Sequence, residues 1–240
     1  MKKITSYDIA RMIDHSLLQP YLTDQDLVRE CETALKWHAA TVSIKPYHIP
    51  LARKILDGTD VEVGSVVSFP HGNATIESKV FEIKQELDMG ATQIDMVCNV
   101  GKAVERDWGY IRDELGAMVE QTKKYNALLK VIFENDMLRG DDEVKIELCR
   151  ICSDLHVDFV KTSTGYCYNK DSDGRYSYLG ATEHDLKLMR QYAAPWVQVK
   201  AAGNVGNLDI ILRLREIGVT RIGTGQLEHI MRDAIERFGE

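Results

Sequence analysis

A closed (β/α)8 barrel, also called a TIM barrel, is the fold this sequence predicts, and three observations predict it. Eight β-rich segments are each followed by a segment of helical periodicity, which implies parallel strands joined by crossover helices. The length of 240 residues suits a barrel forming a single domain over residues 1–240, since such barrels use about 250. Asp14, Lys45, Asp95, Glu134, Lys161 and Lys200 fall at or near the C-terminal ends of the strand segments, where barrels carry their chemistry. An open, doubly wound sheet is the alternative packing of the same units.

The elements follow in order. Residues 13–18 read as a short strand, and Thr23 or Asp24 caps a helix to about Trp37. Residues 40–44 form the second strand, Lys45-Pro46 breaks it, and a helix over about 47–56 ends near Gly58. Residues 61–69 are β-rich and close on the turn-forming Pro70-His71-Gly72. In 75–89, Ile76, Val80, Ile83 and Leu87 recur at helical spacing, and Gly90 ends the helix. A strand over 93–98, a helix over about 107–125 and a strand over 128–133 continue the alternation. A helix over 141–155 and the strand 157–161 come next, then a long polar loop to about Gly180. Thr182 and Asp185 form a capping-box pattern for the helix 182–192. The strand 196–200, the helix 208–217, the strand 220–224 and the helix 226–238 complete the chain.

Bulk properties exclude several classes. The net charge of −7 gives no attraction to nucleic acid or to an anionic membrane. No apolar run approaches the roughly 20 residues of a membrane span, and Met1-Lys2-Lys3-Ile4-Thr5 opens no signal peptide, so a soluble cytoplasmic protein is expected. The five cysteines are an odd number without a secretion signal, which suggests reduced thiols. Cys149 and Cys152 form a CxxC, but they lie on the apolar face of a helix and no second ligand pair accompanies them. That spacing favours a buried role over zinc or redox chemistry. His15, His71 and His184 form no metal-ligand spacing, and no nucleotide-binding glycine motif occurs, so neither a metal nor a cofactor is expected.

Two stretches carry the chemistry. Val157-Asp158-Phe159-Val160-Lys161 and Trp196-Val197-Gln198-Val199-Lys200 each run apolar into a lysine, followed by small or polar residues. One lysine so placed is ordinarily a snorkelling strand-end residue. Two in matching positions on successive strands bring two ammonium groups near each other. The charge of one then lowers the pKa of the other and frees a nucleophilic amine, as Schiff-base catalysis requires. Asp95, inside an apolar strand, is either a buried partner for a lysine or a proton shuttle. Asp14 reads as structural, and Glu134 either fixes lysine geometry or takes part in catalysis. Lys45 is either a solvated loop lysine or a third cation for an anionic substrate group.

Ile13-Asp14-His15-Ser16-Leu17-Leu18, Gln93-Ile94-Asp95-Met96-Val97, Lys161-Thr162-Ser163-Thr164-Gly165 and Val199-Lys200-Ala201, with Phe69-Pro70-His71-Gly72, resemble the deoxyribose-phosphate aldolase family. The resemblance covers almost the whole chain in order, and the KTSTG stretch is its most specific part. It implies a class I aldolase on a TIM barrel, a lyase that cleaves 2-deoxyribose 5-phosphate to glyceraldehyde 3-phosphate and acetaldehyde. On this reading Lys161 forms the imine, Lys200 lowers its pKa, and Asp95 moves protons through an ordered water. Asp14, Ser16, Lys45, Glu134, Thr164, Gly165, Gly203, Asn204, Gly223 and Gly225 are the candidate substrate-binding residues. Neither metal nor organic cofactor is implied, the partner is a small aldehyde or sugar phosphate, and a homodimer is expected from the resemblance alone.

The chain departs from the family at the anion end. The family's Ser-Gly-Gly and following arginine are replaced by Ala202-Gly203-Asn204-Val205-Gly206, and its Gly-Thr-Ser by Gly223-Thr224-Gly225-Gln226. Backbone N–H groups of Gly203, Asn204, Gly223 and Gly225 remain to cradle an anion beside a helix N-terminus. The loop after KTSTG, residues 166–178, is also longer and carries extra tyrosines and cations. These departures raise the expectation of a differently placed phosphate, another anion or none, with Lys45, Lys170 or Arg175 as replacement contacts. A dehydratase or carbon transferase using the same lysines, a non-catalytic sugar-phosphate-binding barrel, and metal-assisted aldol chemistry are the competing readings.

Overall fold

The computed structural model describes residues 4–170 and 172–239. The reading of Met1-Lys2-Lys3 and the Asp171 position of the long loop lie outside the described residues. Eight parallel strands close into a barrel: β1 (Ile13–Leu17), β2 (Thr41–Ile44), β3 (Glu62–Val67), β4 (Gln93–Val97), β5 (Leu128–Ile132), β6 (Phe159–Lys161), β9 (Gln198–Ala202) and β10 (Arg221–Thr224). Each pairs with its neighbour in the chain, and β10 closes on β1 through Asp14 opposite Gly223. The open-sheet alternative is thereby set aside.

The helices around the barrel are α1 (Ser6–Ala10), α2 (Asp24–Trp37), α3 (Ile49–Leu56), α4 (Ile76–Asp88), α5 (Val100–Glu105), α6 (Trp108–Lys123), α7 (Asp142–Asp154), α8 (Glu183–Tyr192), α9 (Leu208–Ile217) and α10 (Leu227–Phe238). Two were not expected. Thr5 and Asp8 form a reciprocal capping box that nucleates α1, and Asn99 caps the single turn and a half of α5. Both are too short for periodicity to reveal. Thr23, not Asp24, caps α2, and Asp26 returns the bond to the Thr23 backbone. At α8 the box is only half made. Thr182 accepts from the Asp185 N–H, but the Asp185 carboxylate bonds the Thr182 hydroxyl and Lys145 instead of the backbone.

The outward faces of the strands supply the main core. Ile13, Val42, Val63, Ile94, Leu129, Val160, Val199 and Ile222 pack with apolar residues of the helices, including Cys149 and Cys152. Both thiols are buried and unpaired, with burial pushing Cys149 up to about 12, as the buried-helix reading of CxxC expected. Inside the barrel buried polar and charged residues, Asp14, Asp95, Lys130, Lys161 and Lys200, stand among apolar ones such as Phe159. No described helix is long and apolar enough to cross a membrane.

The long loop after β6 is not structureless. It folds back as a two-stranded antiparallel hairpin, β7 (Asn169–Lys170) with β8 (Tyr176–Ser177). Asp136, in the loop after β5, anchors its base. The Asp136 carboxylate accepts the N–H groups of Leu179 (2.8 Å) and Gly180 (2.9 Å), and its backbone carbonyl accepts the Asn169 side chain. The hairpin's exit is laid along the loop after β9: Ala181 N donates to Gly203 O at 3.1 Å, and the Asn204 amide donates to Leu179 O at 2.9 Å.

Candidate active site

Strand register decides which side chains meet in the barrel. Asp95 lies opposite Lys130, Lys161 opposite Lys200, and Lys200 opposite Arg221. With Asp14 on β1 they form one buried ion network. Asp95 Oδ2 accepts Lys161 Nζ at 2.6 Å and Lys200 Nζ at 2.7 Å, while Oδ1 stands 3.0 Å from Lys130 Nζ. Asp14 Oδ2 accepts Lys200 at 2.5 Å and Lys130 at 3.0 Å, and Oδ1 accepts Arg221 at 2.7 Å. Phe159 stands two residues before Lys161 on the same strand face, deeper in the barrel. Its ring lies 5.9 Å from Lys130 Nζ and 5.4 Å from the Arg221 guanidinium, so aromatic contacts help hold both cations.

The network contains four cations (Lys130, Lys161, Lys200, Arg221) against two carboxylates. Full protonation would leave excess positive charge where water cannot screen it, so one amine is disfavoured as a cation. Burial pushes down both Lys130 and Lys161, and Lys161, with a single carboxylate partner, is that amine. Burial, then the charges of Lys200 and Lys130, lower it to about 8 against the pull of Asp95. Burial also disfavours the Lys200 cation, but Asp14 and Asp95 outweigh it and raise its pKa. The difference follows from short hydrogen bonds: Lys200 donates to two carboxylates, at 2.5 and 2.7 Å, Lys161 to one. Burial opposes ionisation of Asp95 and Asp14, yet their lysine neighbours hold both well below the usual carboxylate range.

Lys161 alone of the network opens into a cavity of about 630 Å³ at the C-terminal mouth of the barrel. Of the candidate binding residues, Ser16, Thr164, Gly165, Gly203, Asn204, Gly223 and Gly225 line it, together with Tyr166, Tyr168, Tyr178 and Gln226. Lys161 is the sole cation among the described lining residues. The far wall is the backbone of the loops entering α9 and α10. Asn207 caps α9, whereas α10 has no side-chain cap, and its N-cap residue Gln226 lines the cavity.

Other expected residues fall elsewhere. Lys45 does not line the cavity: its ammonium donates to Gln19 O (3.1 Å) and Leu22 O (2.7 Å) and stacks on Tyr47. Lys170 stacks on Tyr176 at the hairpin surface, and Arg175 is exposed there. None of the three is among the described residues that line the cavity. Asp14 is beneath the cavity, as part of the ion network and not merely a backbone acceptor. Glu134, in a left-handed backbone conformation (φ 58°), accepts Thr164 N at 3.2 Å and Thr164 Oγ1 at 2.5 Å. It fixes the turn after Lys161 and makes no hydrogen bond to the lysine; burial pushes its carboxyl up to about 7. Thr162 ties the same turn to β9, donating to Ala202 O at 3.0 Å and accepting from Ala202 N at 3.1 Å.

Lys130, Arg221 and Asp136 were missed in the sequence. Lys130 left a signal, a lone cation inside Leu128-Leu129-Lys130-Val131-Ile132. A charge there is affordable only against a buried partner. A cluster of Asp142, His184 and Asp185 has metal-like spacing. Lys145 already bridges both carboxylates, at 3.2 Å and 2.6 Å. A larger cavity of about 880 Å³ borders that cluster, but its charged walls pair with one another and it holds none of the network lysines.

A lysine of lowered pKa beside a second, fully charged lysine, at the mouth of a (β/α)8 barrel, defines a site of amine-nucleophile chemistry. A family model described as DeoC/LacD family aldolase matches residues 9–216, and the chain belongs to that family. It is 39% identical over 233 residues to a deoxyribose-phosphate aldolase of Rhodopirellula baltica, covering 97% of this chain and 92% of that one. It is 36% identical to the enzyme of that name from Thermococcus kodakarensis, covering 95% and 97%. Among solved structures, a putative deoxyribose-phosphate aldolase from Coccidioides immitis superposes with a TM-score of 0.87 at 27% identity, covering 97% of this chain and 88% of that one. The deoxyribose-phosphate aldolase of Aeropyrum pernix, described as a unique tetramer, gives 0.83 at 25% identity, covering 95% and 92%.

Proposed function

We propose that this chain is a class I aldolase, a lyase that reversibly cleaves 2-deoxy-D-ribose 5-phosphate into glyceraldehyde 3-phosphate and acetaldehyde. The observation that carries the reading is Lys161: the sole cation on the described cavity wall, with burial and two neighbouring ammonium groups holding its pKa near 8.

The mechanism follows from the network. The neutral Lys161 amine attacks C1 of the open-chain aldehyde, and the carbinolamine loses water to give a protonated imine. A base removes the C3 hydroxyl proton, the C3–O bond becomes a carbonyl, and the C2–C3 electron pair moves into the imine to form an enamine. Glyceraldehyde 3-phosphate leaves. The enamine takes a proton at C2, and water hydrolyses the resulting imine to acetaldehyde and free amine. Asp95, 2.6 Å from Lys161 and 2.7 Å from Lys200, accepts the C3 hydroxyl proton through a water. Strongly acidic, it holds that proton only in passing and returns it through the same water to C2 of the enamine. Lys200 stays charged and keeps Lys161 from doing so. These steps call for neither a metal nor an organic cofactor.

The residues that line the cavity take the assigned binding roles. Ser16, Thr164 and Gly165 face the sugar, and the backbone of Gly203, Asn204, Gly223 and Gly225 faces the phosphate. We read residues 1–240 as one domain, supported by α1 packing on α10 to join the two ends of the chain. A cytoplasmic location and a homodimer complete the reading. The test is borohydride reduction with 2-deoxyribose 5-phosphate followed by peptide mass spectrometry. A substrate-dependent adduct on Lys161 is expected. Its absence in folded protein, for this and other aldehydes, would sink the reading.

A further inference from the structure

The hairpin after β6 delivers one side chain whose polar atom has no counterpart. Tyr178 follows β8 directly, and its hydroxyl is buried with no hydrogen-bond partner among the described residues. Buried polar groups almost always find partners, so an orphan at a cavity wall calls for an explanation. The position is built, not incidental. The Tyr178 hydroxyl is 3.7 Å from where a side chain on Gly165 would begin. It sits 1.9 Å from where one on Gly203 would begin, so it occupies the space that glycine leaves open. It thus bridges the loop after Lys161 and the loop after Lys200. Bonds on both sides fix it: Ser177 pairs with Asn169 in the hairpin, and after it Leu179 N and Gly180 N donate to Asp136 and Ala181 N to Gly203 O.

Tyr178 lines the cavity at the end where the aldolase reading seats the phosphate. The uncapped start of α10 and the backbone from Gly203 to Gly206 are there, and no described lysine or arginine besides Lys161 lines the cavity. The Asn204 side-chain amide is already given to Leu179 O. Burial, with the charges of Asp136 and Glu134, pushes the phenol up from its ordinary value, so it stays a donor at any physiological pH.

We propose that the Tyr178 hydroxyl donates a hydrogen bond to the phosphate of the substrate, making the hairpin a determinant of selectivity for phosphorylated sugars. The proposal rests on the aldolase reading for its substrate, but its test has an arm that does not. Tyr178→Phe removes the hydroxyl and keeps the ring. Inorganic phosphate, titrated calorimetrically into wild type and Y178F, is expected to bind the variant roughly 10-fold more weakly, about 1.4 kcal/mol. Equal affinities, or no phosphate binding by the wild type, overturn it. In the kinetic arm, the ratio of kcat/KM for 2-deoxyribose 5-phosphate over 2-deoxyribose is expected to fall about 10-fold. A parallel loss on both substrates with a lowered Tm marks a structural role and also overturns it. Wild type that binds phosphate through Tyr178 yet cleaves neither sugar overturns the aldolase reading and supports the assignment of Tyr178.

Discussion

Asp95 gives one carboxylate oxygen to two lysines, holding Lys161 at 2.6 Å and Lys200 at 2.7 Å. Because Lys200 has Asp14 as a second partner and Lys161 has none, the shared oxygen separates their protonation states. Acid–base roles are set by environment, not by residue type.

The pH profile follows. Below about 8 the Lys161 amine is protonated and cannot attack, so kcat/KM should rise with pH through that value. Lys200→Met removes the largest neighbouring positive charge, so the Lys161 pKa rises and the acidic limb moves up by about one pH unit. The variant should therefore lose most at pH 7 and regain part of its rate at pH 9. A profile that falls with pH over this range, or a limb unmoved in the variant, would contradict the arrangement.

Lys130 touches both carboxylates and does not reach the cavity. Lys130→Met leaves Asp14 and Asp95 short of a buried partner, and should cost about 3–5 kcal/mol in urea unfolding. Wild-type stability in K130M would deny it a place in the network.

Lys45 marks the opposite case. Its bonds to Gln19 O and Leu22 O hold the loop after β1, and Lys45 itself does not line the cavity. Lys45→Ala should change kcat/KM less than about threefold and lower stability by about 1–2 kcal/mol. A tenfold rise in KM would restore it as an anion contact.

Glu86, on α4, is buried, and neither carboxyl oxygen has a hydrogen bond of good geometry. Burial raises its pKa from 4.5 to about 9. Between those values the unfolded chain has released a proton that the folded chain keeps, so stability falls as pH rises through the window. Below 4.5 both states are neutral and nothing is lost. Glu86→Gln should be more stable than wild type at pH 8, by at least about 2 kcal/mol, and equal to it near pH 4. Equal stability at both would place a counter-ion beside Glu86.

Gly203 has φ 93°, and an added Cβ would begin 1.9 Å from the Tyr178 hydroxyl and 2.9 Å from Gly180 Cα. Gly203→Ala should destabilise by about 1–3 kcal/mol and impair turnover. Pairing it with Tyr178→Ala should recover only the steric part, a coupling that a double-mutant cycle reads directly. Additive effects would mean that the two residues do not touch.

The barrel was legible because parallel strands buried on both faces leave long β-rich runs that alternate with helical periodicity. Lys161 and Lys200, closing such runs, and Asp95, inside one, stood out because a charge there is costly without a partner. Lys130 and Arg221 did not, because their meaning depends on register across the closed barrel. Arg221 reaches Asp14 from the opposite end of the chain, and no local pattern reports a contact of that span. The hairpin escaped because its two strands are two residues each, held by Asp136 and not by an apolar pattern of their own. Lys45 shows the same limit: proximity to a strand end does not say where a long side chain finds its acceptors.

A cavity whose described wall offers one cation, on a chain of net charge −7, also sets how an anionic ligand arrives. The short-range dipoles of the backbone and of neutral side chains act only on contact, whereas the overall field of the molecule repels a sugar phosphate at a distance. Added salt shortens the reach of that repulsion to about 10 Å at 0.1 M. Raising ionic strength from low values should therefore quicken capture of a phosphorylated substrate, the reverse of what an arginine-lined mouth would show.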